Sequence, residues 1–270
     1  MKKNIITLTL VALLSSSTAY AQEKLDDPIS KEDMARANIE VELPSPATLV
    51  LRLHRALGDV EWREYMNLKQ DSKKNTKQDF AFYLGAKGAD AYFLSTSKDT
   101  TNLISTSKNI YKSINKLKVN DKSTKKILRN LKRNLGKSKV DEATWKNILK
   151  DIIQLKDQIS NNLNSKYKDG DKTILYDVGG WLEGYRLSAQ AIKDNYSSKI
   201  SSILIQKNLV SSLLKRVKGS NKAKKFSGYN EIVATLKDID STLSNSKNRK
   251  LTKTDVDKLV ETLSKIQKYM

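Results

Sequence analysis

Between residues 141 and 163 the apolar side chains Trp145, Ile148, Ile152, Leu155 and Ile159 recur at spacings of three and four. That period places them on one stripe of an α-helix and on no single face of a strand. The same spacing returns along most of the chain, and nowhere is there the strict apolar–polar alternation of a half-buried strand. With only three prolines and ten glycines in 270 residues, little interrupts it. The pattern predicts an all-α protein: a single multi-helix bundle of eight to ten helices.

The first helix is expected to start at Ser45-Pro46, with serine as cap and proline at the first helical position, and to stop at Gly58. A short second helix is expected over 61–68 and a polar loop over 71–76. The segment from Gln78 is apolar on most sides (Phe80, Phe82, Tyr83, Leu84, Ala86, Ala89, Ala91, Tyr92, Leu94), which marks a central helix. Helices around Leu103–Leu117 and 125–135 follow, the latter ended by Gly136. After the helix from Asp141 comes a turn at Gly170. A second all-round apolar helix then carries Ile174, Leu175, Tyr176, Val178, Trp181, Leu182, Tyr185 and Leu187. One helix is read over 200–217, another around Ile232–Leu243, and a last one from Thr252, whose Asp255 three residues on resembles a capping box.

The N-terminus has the form of a secretory signal. Lys2 and Lys3 precede an apolar run at residues 5–14, and Ala19-Tyr20-Ala21 offers small residues to a peptidase. A run of about ten residues falls short of the ~20 that a spanning helix needs. Cleavage after Ala21 is expected, leaving a periplasmic chain that starts at Gln22 and carries a net charge of +18. Residues 22–43 read as an acidic lead-in (Glu23, Asp26, Asp27, Glu32, Asp33, Glu40, Glu42), expected to be mobile and able to fold over the basic body. Residues 44–270 read as the helical domain. The absence of cysteine excludes disulfides, thiol catalysis, thiolate metal sites and a lipid-anchor cysteine. No later stretch is apolar and long enough to predict a transmembrane segment.

The whole chain carries +20, and residues 122–139 are dominated by lysine and arginine. Two readings stand for this charge. It can attract an anionic partner, for which anionic envelope components or an acidic protein fit an exported chain better than nucleic acid. Or the lysines are scattered over solvated helix faces. Catalytic constellations are scarce. His54 is the sole histidine, and no phosphate loop, dinucleotide fingerprint, EF-hand or nucleophile elbow occurs. No cofactor or metal is expected, and the chain reads as a non-enzymatic interaction or binding protein.

Two stretches match at an offset of 93 residues, with Phe82-Tyr83 answering Leu175-Tyr176, and residues 88–95 answering 181–188. This predicts two pseudo-equivalent halves at about 76–163 and 171–268. Each places a carboxylate in its most apolar helix: Asp90 near Tyr92, and Glu183 near Tyr185. Buried carboxylates must be paired, hydrogen-bonded or protonated. One reading is a structural ion pair or tyrosine hydrogen bond. The sharper one is a polar pocket between the halves, lined by Asp90, Glu183, Tyr83, Tyr92, Tyr176, Trp181 and Tyr185, that binds a cationic or polyhydroxy ligand. Arg186 lies one turn from Glu183 and can pair with either carboxylate. The same pair could serve a glycosidase, provided an open cleft holds them apart. Gly85, Gly88, Gly179, Gly180 and Gly184 suggest that another backbone comes close.

Taken together, Leu43-Pro44-Ser45-Pro46, Leu84-Gly85 with Asp90 and Ala91-Tyr92, and Val178-Gly179-Gly180-Trp181-Leu182-Glu183-Gly184 resemble motifs of a family of all-helical exported proteins and lipoproteins of Bacteroidota type. The resemblance covers most of residues 43–217 and is most specific at the Gly-Gly-Trp-x-Glu-Gly helix. It implies an all-helical fold and brings no assigned chemistry.

Overall fold

Nine helices of twelve residues or more occur among the residues described by a computed structural model. It describes residues 46–68, 74–167, 170–246 and 250–270, all within the compact unit Leu43–Met270. The expected signal peptide, cleavage site and acidic lead-in lie outside the described residues. The helices are α1 (Pro46–Leu57), α2 (Lys77–Thr96), α3 (Thr100–Leu117), α4 (Lys122–Leu135), α5 (Glu142–Lys166), α6 (Asp171–Asp194), α7 (Lys207–Gly219), α8 (Tyr229–Ser244) and α9 (Lys253–Ser264). No strand occurs among the described residues.

Most helix starts follow local chemistry. Asp99, Asp121 and Asp141 each accept the backbone N–H three residues on, capping α3, α4 and α5. Thr76 with Asp79, and Thr252 with Asp255, form reciprocal capping boxes at α2 and α9. Gly58 and Gly170, at φ of +73° and +66°, take the left-handed conformation that stops α1 and leads into α6.

Helices α2 and α6 form the centre. Their buried residues run around almost the whole circumference, so neither has a solvent face of any width. They lie side by side in the same direction. Gln78 donates to the Asp171 carboxylate at 3.2 Å, a pair 93 residues apart near the two N-termini. Twelve residues on, Asp90 and Glu183 meet at the same offset. Between these points the backbones touch. A methyl group on Gly85 would collide with the Tyr176 carbonyl, and one on Gly179 with the Phe82 carbonyl. Gly88 is different: the nearest atom to a methyl there is the Tyr176 hydroxyl, 3.9 Å away.

Around this pair α3 and α5 pack on α2, α4 covers α5, and α1 and α9 pack on α6, with α7 and α8 completing the second side. Phe82, Phe93, Leu84, Leu103, Ile114 and Ile148 are fully buried. Each such side chain contributes roughly 1.5–3 kcal/mol by leaving water.

Two local expectations differ from the structure. Residues 61–68 hold only one 3₁₀ turn, Trp62–Tyr65, fixed by the Trp62 ring against Phe93 at 4.6 Å. The single helix read over 200–217 is broken into a turn at Ser198–Ser201, a 3₁₀ turn at Ser202–Leu204, and α7 from Lys207. The apolar spacing runs through the break, because the cause lies on another helix. The Tyr185 hydroxyl donates to the Leu204 carbonyl at 2.8 Å, and the Trp181 indole N–H to the Gln206 side chain at 3.1 Å.

Candidate functional site: a buried charge tetrad between the central helices

Charged side chains inside the two most apolar helices are the chemical anomaly of this fold. On α2, Lys87 Nζ donates to Asp90 Oδ2 at 2.7 Å. On α6, Arg186 grips Glu183 with both arms of its fork, Nε to Oε2 at 2.7 Å and Nη2 to Oε1 at 2.6 Å. Both pairs are spaced i, i+3, which puts partners on the same helix face. The charge order is reversed between the helices, cation first on α2 and carboxylate first on α6. All four side chains are nearly sealed, with relative exposures of 6% and 1% for Lys87 and Asp90, and 8% and 2% for Arg186 and Glu183.

The two pairs are one unit. The Glu183 and Asp90 carboxyls are hydrogen-bond neighbours across the interface, and each cation also feels the carboxylate of the other helix. Asp90 Oδ1 is buried and has no donor. With both acids ionised, the two neighbouring carboxylates repel one another. One proton turns that contact into an O–H···O bond. Burial, first, and then the negative Asp90 push the Glu183 carboxyl up to about 7, against the pull of Arg186. Burial alone would lower Lys87 and Arg186, but the carboxylates outweigh it and hold both above their ordinary values.

Arg186 reaches further. Its Nη1 donates to the Tyr65 carbonyl at 2.9 Å and ties the 3₁₀ turn to α6. The Tyr83 ring is 5.5 Å from Lys87 Nζ and 3.7 Å from Lys74 Nζ. So the structure brings Asp90, Glu183, Arg186 and Tyr83 together, and adds Lys87. The other aromatic residues go elsewhere. Trp181 and Tyr185 stack at 4.7 Å and hold the break after Leu204. Tyr176 turns its hydroxyl towards the Lys156 carbonyl at 3.4 Å, and Tyr92 is half-buried beside Phe93. A small apolar cavity of about 20 Å³, lined by Leu84, Gly88, Ile110, Leu131, Ile152 and Tyr176, includes neither carboxylate. The open cleft that acid–base work on a glycan requires is not at Asp90 and Glu183, both sealed by protein.

Lys87 escaped the sequence reading although its signal was present, three residues before Asp90 on the same face. A second buried cluster escaped as well: Asp171 with Gln78 and with Lys172, whose ammonium sits 4.1 Å over the Tyr167 ring. Asp79 does structural work too. Burial pushes its carboxyl up, but the backbone N–H groups of Ser227, Asn75 and Thr76 outweigh it and hold the carboxyl low. His54 is exposed on α1, 3.6 Å from Asp59. Among the described residues no group of three or more potential ligands could hold a metal ion, and no helix is long and apolar enough to cross a membrane.

The tetrad makes stability depend on pH in a direction that can be worked out. Glu183 binds its proton more tightly in the fold (about 7) than in the unfolded chain (about 4.5). Between those values the folded state holds more protons, so this group's contribution is fully present below about pH 4.5 and is lost as pH rises through 7. The loss is on the order of 3 kcal/mol. Denaturant melts of the wild type and Glu183→Gln, compared from pH 5 to pH 8, should show a downward component in the wild type that the variant lacks. Parallel profiles would mean that Glu183 is ionised throughout.

The opposite surface property is carried by α3 and α4. Their exposed residues include Lys108, Lys112 and Lys116 on α3, and Lys122, Lys125, Lys126, Arg129, Lys132 and Arg133 on α4. Those nine cations meet no carboxylate within either helix, whereas α8 and α9 hold six carboxylates and three cations. On α4 the separation by face is complete: Ile127, Leu131 and Leu135 are buried and every lysine and arginine is exposed. Compared with protein-family models, curated proteins and solved structures, the chain matches none.

Proposed function

We propose that this chain is an exported, non-enzymatic interaction protein of the envelope that binds a polyanionic partner through the basic face of α3 and α4. One observation carries the reading: nine exposed cations on two consecutive helices, neither of which contains a carboxylate. Such segregation produces a positive field that neighbouring acids would otherwise cancel. Under this reading α2 and α6, with their tetrad, are scaffold. The motif resemblance to exported helical proteins supports the export, as does the form of residues 1–21.

Chromatography on immobilised heparin tests it. The exported form, from Gln22 onward, should bind at low salt and elute earlier when Lys112, Lys116, Lys125 and Lys132 are all replaced by glutamine. Replacing Lys215, Lys237, Lys253 and Lys258, which are equally exposed elsewhere, should shift elution much less, because screening confines attraction to about 8–10 Å. Equal shifts for the two sets would reduce the charge to a property of the whole surface. The export is tested separately by N-terminal sequencing of the protein recovered from the periplasm, which should begin at Gln22.

A further inference from the structure

The basic face has a chemical character beyond its sign. Over residues 100–140 there are ten lysines and two arginines, all exposed, against the single carboxylate of Asp121. Arginine dominates where planar, bidentate recognition of individual phosphates matters; lysine is a compact, hydrated point charge. A lysine-rich face suits many weak, mobile contacts better than a few fixed ones. Its geometry is extended: α4 alone carries cations at every turn from Lys122 to Arg133, along about 17 Å of axis. That is the shape of a contact with a charged plane rather than with a compact anion.

An aromatic ring is the second observation. Tyr111 is 52% exposed, one of two large hydrophobic side chains so exposed among the described residues. It lies on α3 beside Lys112 and one turn from Lys108, both exposed. Tyrosine combines an apolar ring with a polar tip, and its favoured site is the headgroup layer of a membrane. A dissolved polyanion offers the ring no such layer. The buried apolar stripe of α4 argues against an inserted helix and leaves a peripheral, electrostatic mode.

We infer that α3 and α4 dock the protein onto an anionic lipid bilayer, with the lysines against lipid phosphates and Tyr111 at headgroup depth. This rests on the polyanion-binding reading above and names its partner. A free polyanion shares the phosphate chemistry but not the plane or the apolar layer.

The test is co-sedimentation of the exported form with vesicles of phosphatidylcholine alone and with vesicles that also contain phosphatidylglycerol. Binding is expected to the anionic vesicles only and should fall steeply with added salt. The Lys112, Lys116, Lys125, Lys132 glutamine variant should lose at least about tenfold in partitioning, and the variant at Lys215, Lys237, Lys253 and Lys258 less than about twofold. Tyr111→Ser should weaken vesicle binding several-fold, on the order expected for withdrawing an aromatic ring from the headgroup layer, and leave heparin elution unchanged. All these positions are exposed, so matching thermal melts will show that each variant is folded. If heparin binding depends on α3 and α4 while anionic vesicles sediment without the protein, the lipid partner is overturned and the polyanion reading stands. Tighter binding to duplex DNA than to vesicles overturns it in favour of nucleic acid. If neither heparin nor vesicles bind, both readings fall.

Discussion

Replacing Gly179 or Gly85 with alanine should destabilise the fold by about 3 kcal/mol or more, an upper-range cost for forced overpacking. The added methyl group meets backbone in each case, the Phe82 carbonyl for Gly179 and the Tyr176 carbonyl for Gly85. A flexible side chain could swing away, but here α2 and α6 must separate, and with them every layer packed on the pair. Helix propensity acts the other way, since alanine is better than glycine in a helix interior by about 1 kcal/mol. Gly88→Ala isolates that term. It is on the same helix, three residues from Gly85, with nothing nearer than 3.9 Å and the small apolar cavity beside it. This variant should match or exceed the wild type by up to ~1 kcal/mol. Thermal melts of the three variants therefore check the register of the central pair. If Gly179→Ala melted with the wild type, the two backbones could not be in contact there.

Arg186→Met is the second large effect. It leaves Glu183 and Asp90 buried together with only Lys87 to balance them, and it removes the bond to the Tyr65 carbonyl. Breaking one partner out of a buried ion pair costs about 3–5 kcal/mol, because an uncompensated charge stays behind. The deficit should depend on pH. Without the guanidinium the Glu183 carboxyl holds its proton to still higher pH, so the variant should be closest to the wild type in mild acid and furthest from it in alkali. Adding Glu183→Leu should recover most of the loss, as replacing a whole buried pair by apolar groups is often nearly neutral. A double variant no more stable than Arg186→Met would show that packing of the arginine stem, rather than charge, was what had been removed.

The tetrad also shows where sequence reasoning stops. Asp90, Glu183 and Arg186 stand out in the sequence because each interrupts an apolar helix. That both carboxylates would be paired within their own helix follows from i, i+3 spacing alone, although Lys87 was overlooked. That the pairs abut, and leave Asp90 Oδ1 without a donor, depends on how far α2 is slid along α6. The offset of 93 residues between matching stretches hinted at that register, and the structure places Gln78 on Asp171 and Asp90 on Glu183 at that offset. The aromatic residues taken with them were separated by tertiary packing. Trp181 and Tyr185 bond to the chain around Leu204, and Tyr176 faces α5.

By itself the sequence determined the helical class, most helices to within a few residues and the capping box of Thr252 with Asp255. These depend on spacing within a turn or two and on side chains that bond their own backbone, so no distant residue is needed to read them. It also determined that residues 122–139 are basic. Tertiary structure decided the rest. Only the packed fold shows that every lysine and arginine of α4 is exposed, that the 200–217 pattern is broken by hydrogen bonds from α6, and that Gly85 and Gly179 lie where backbones touch while Gly88 does not. Each is set by which helix faces meet, and that is a property of the assembled shape rather than of any local period.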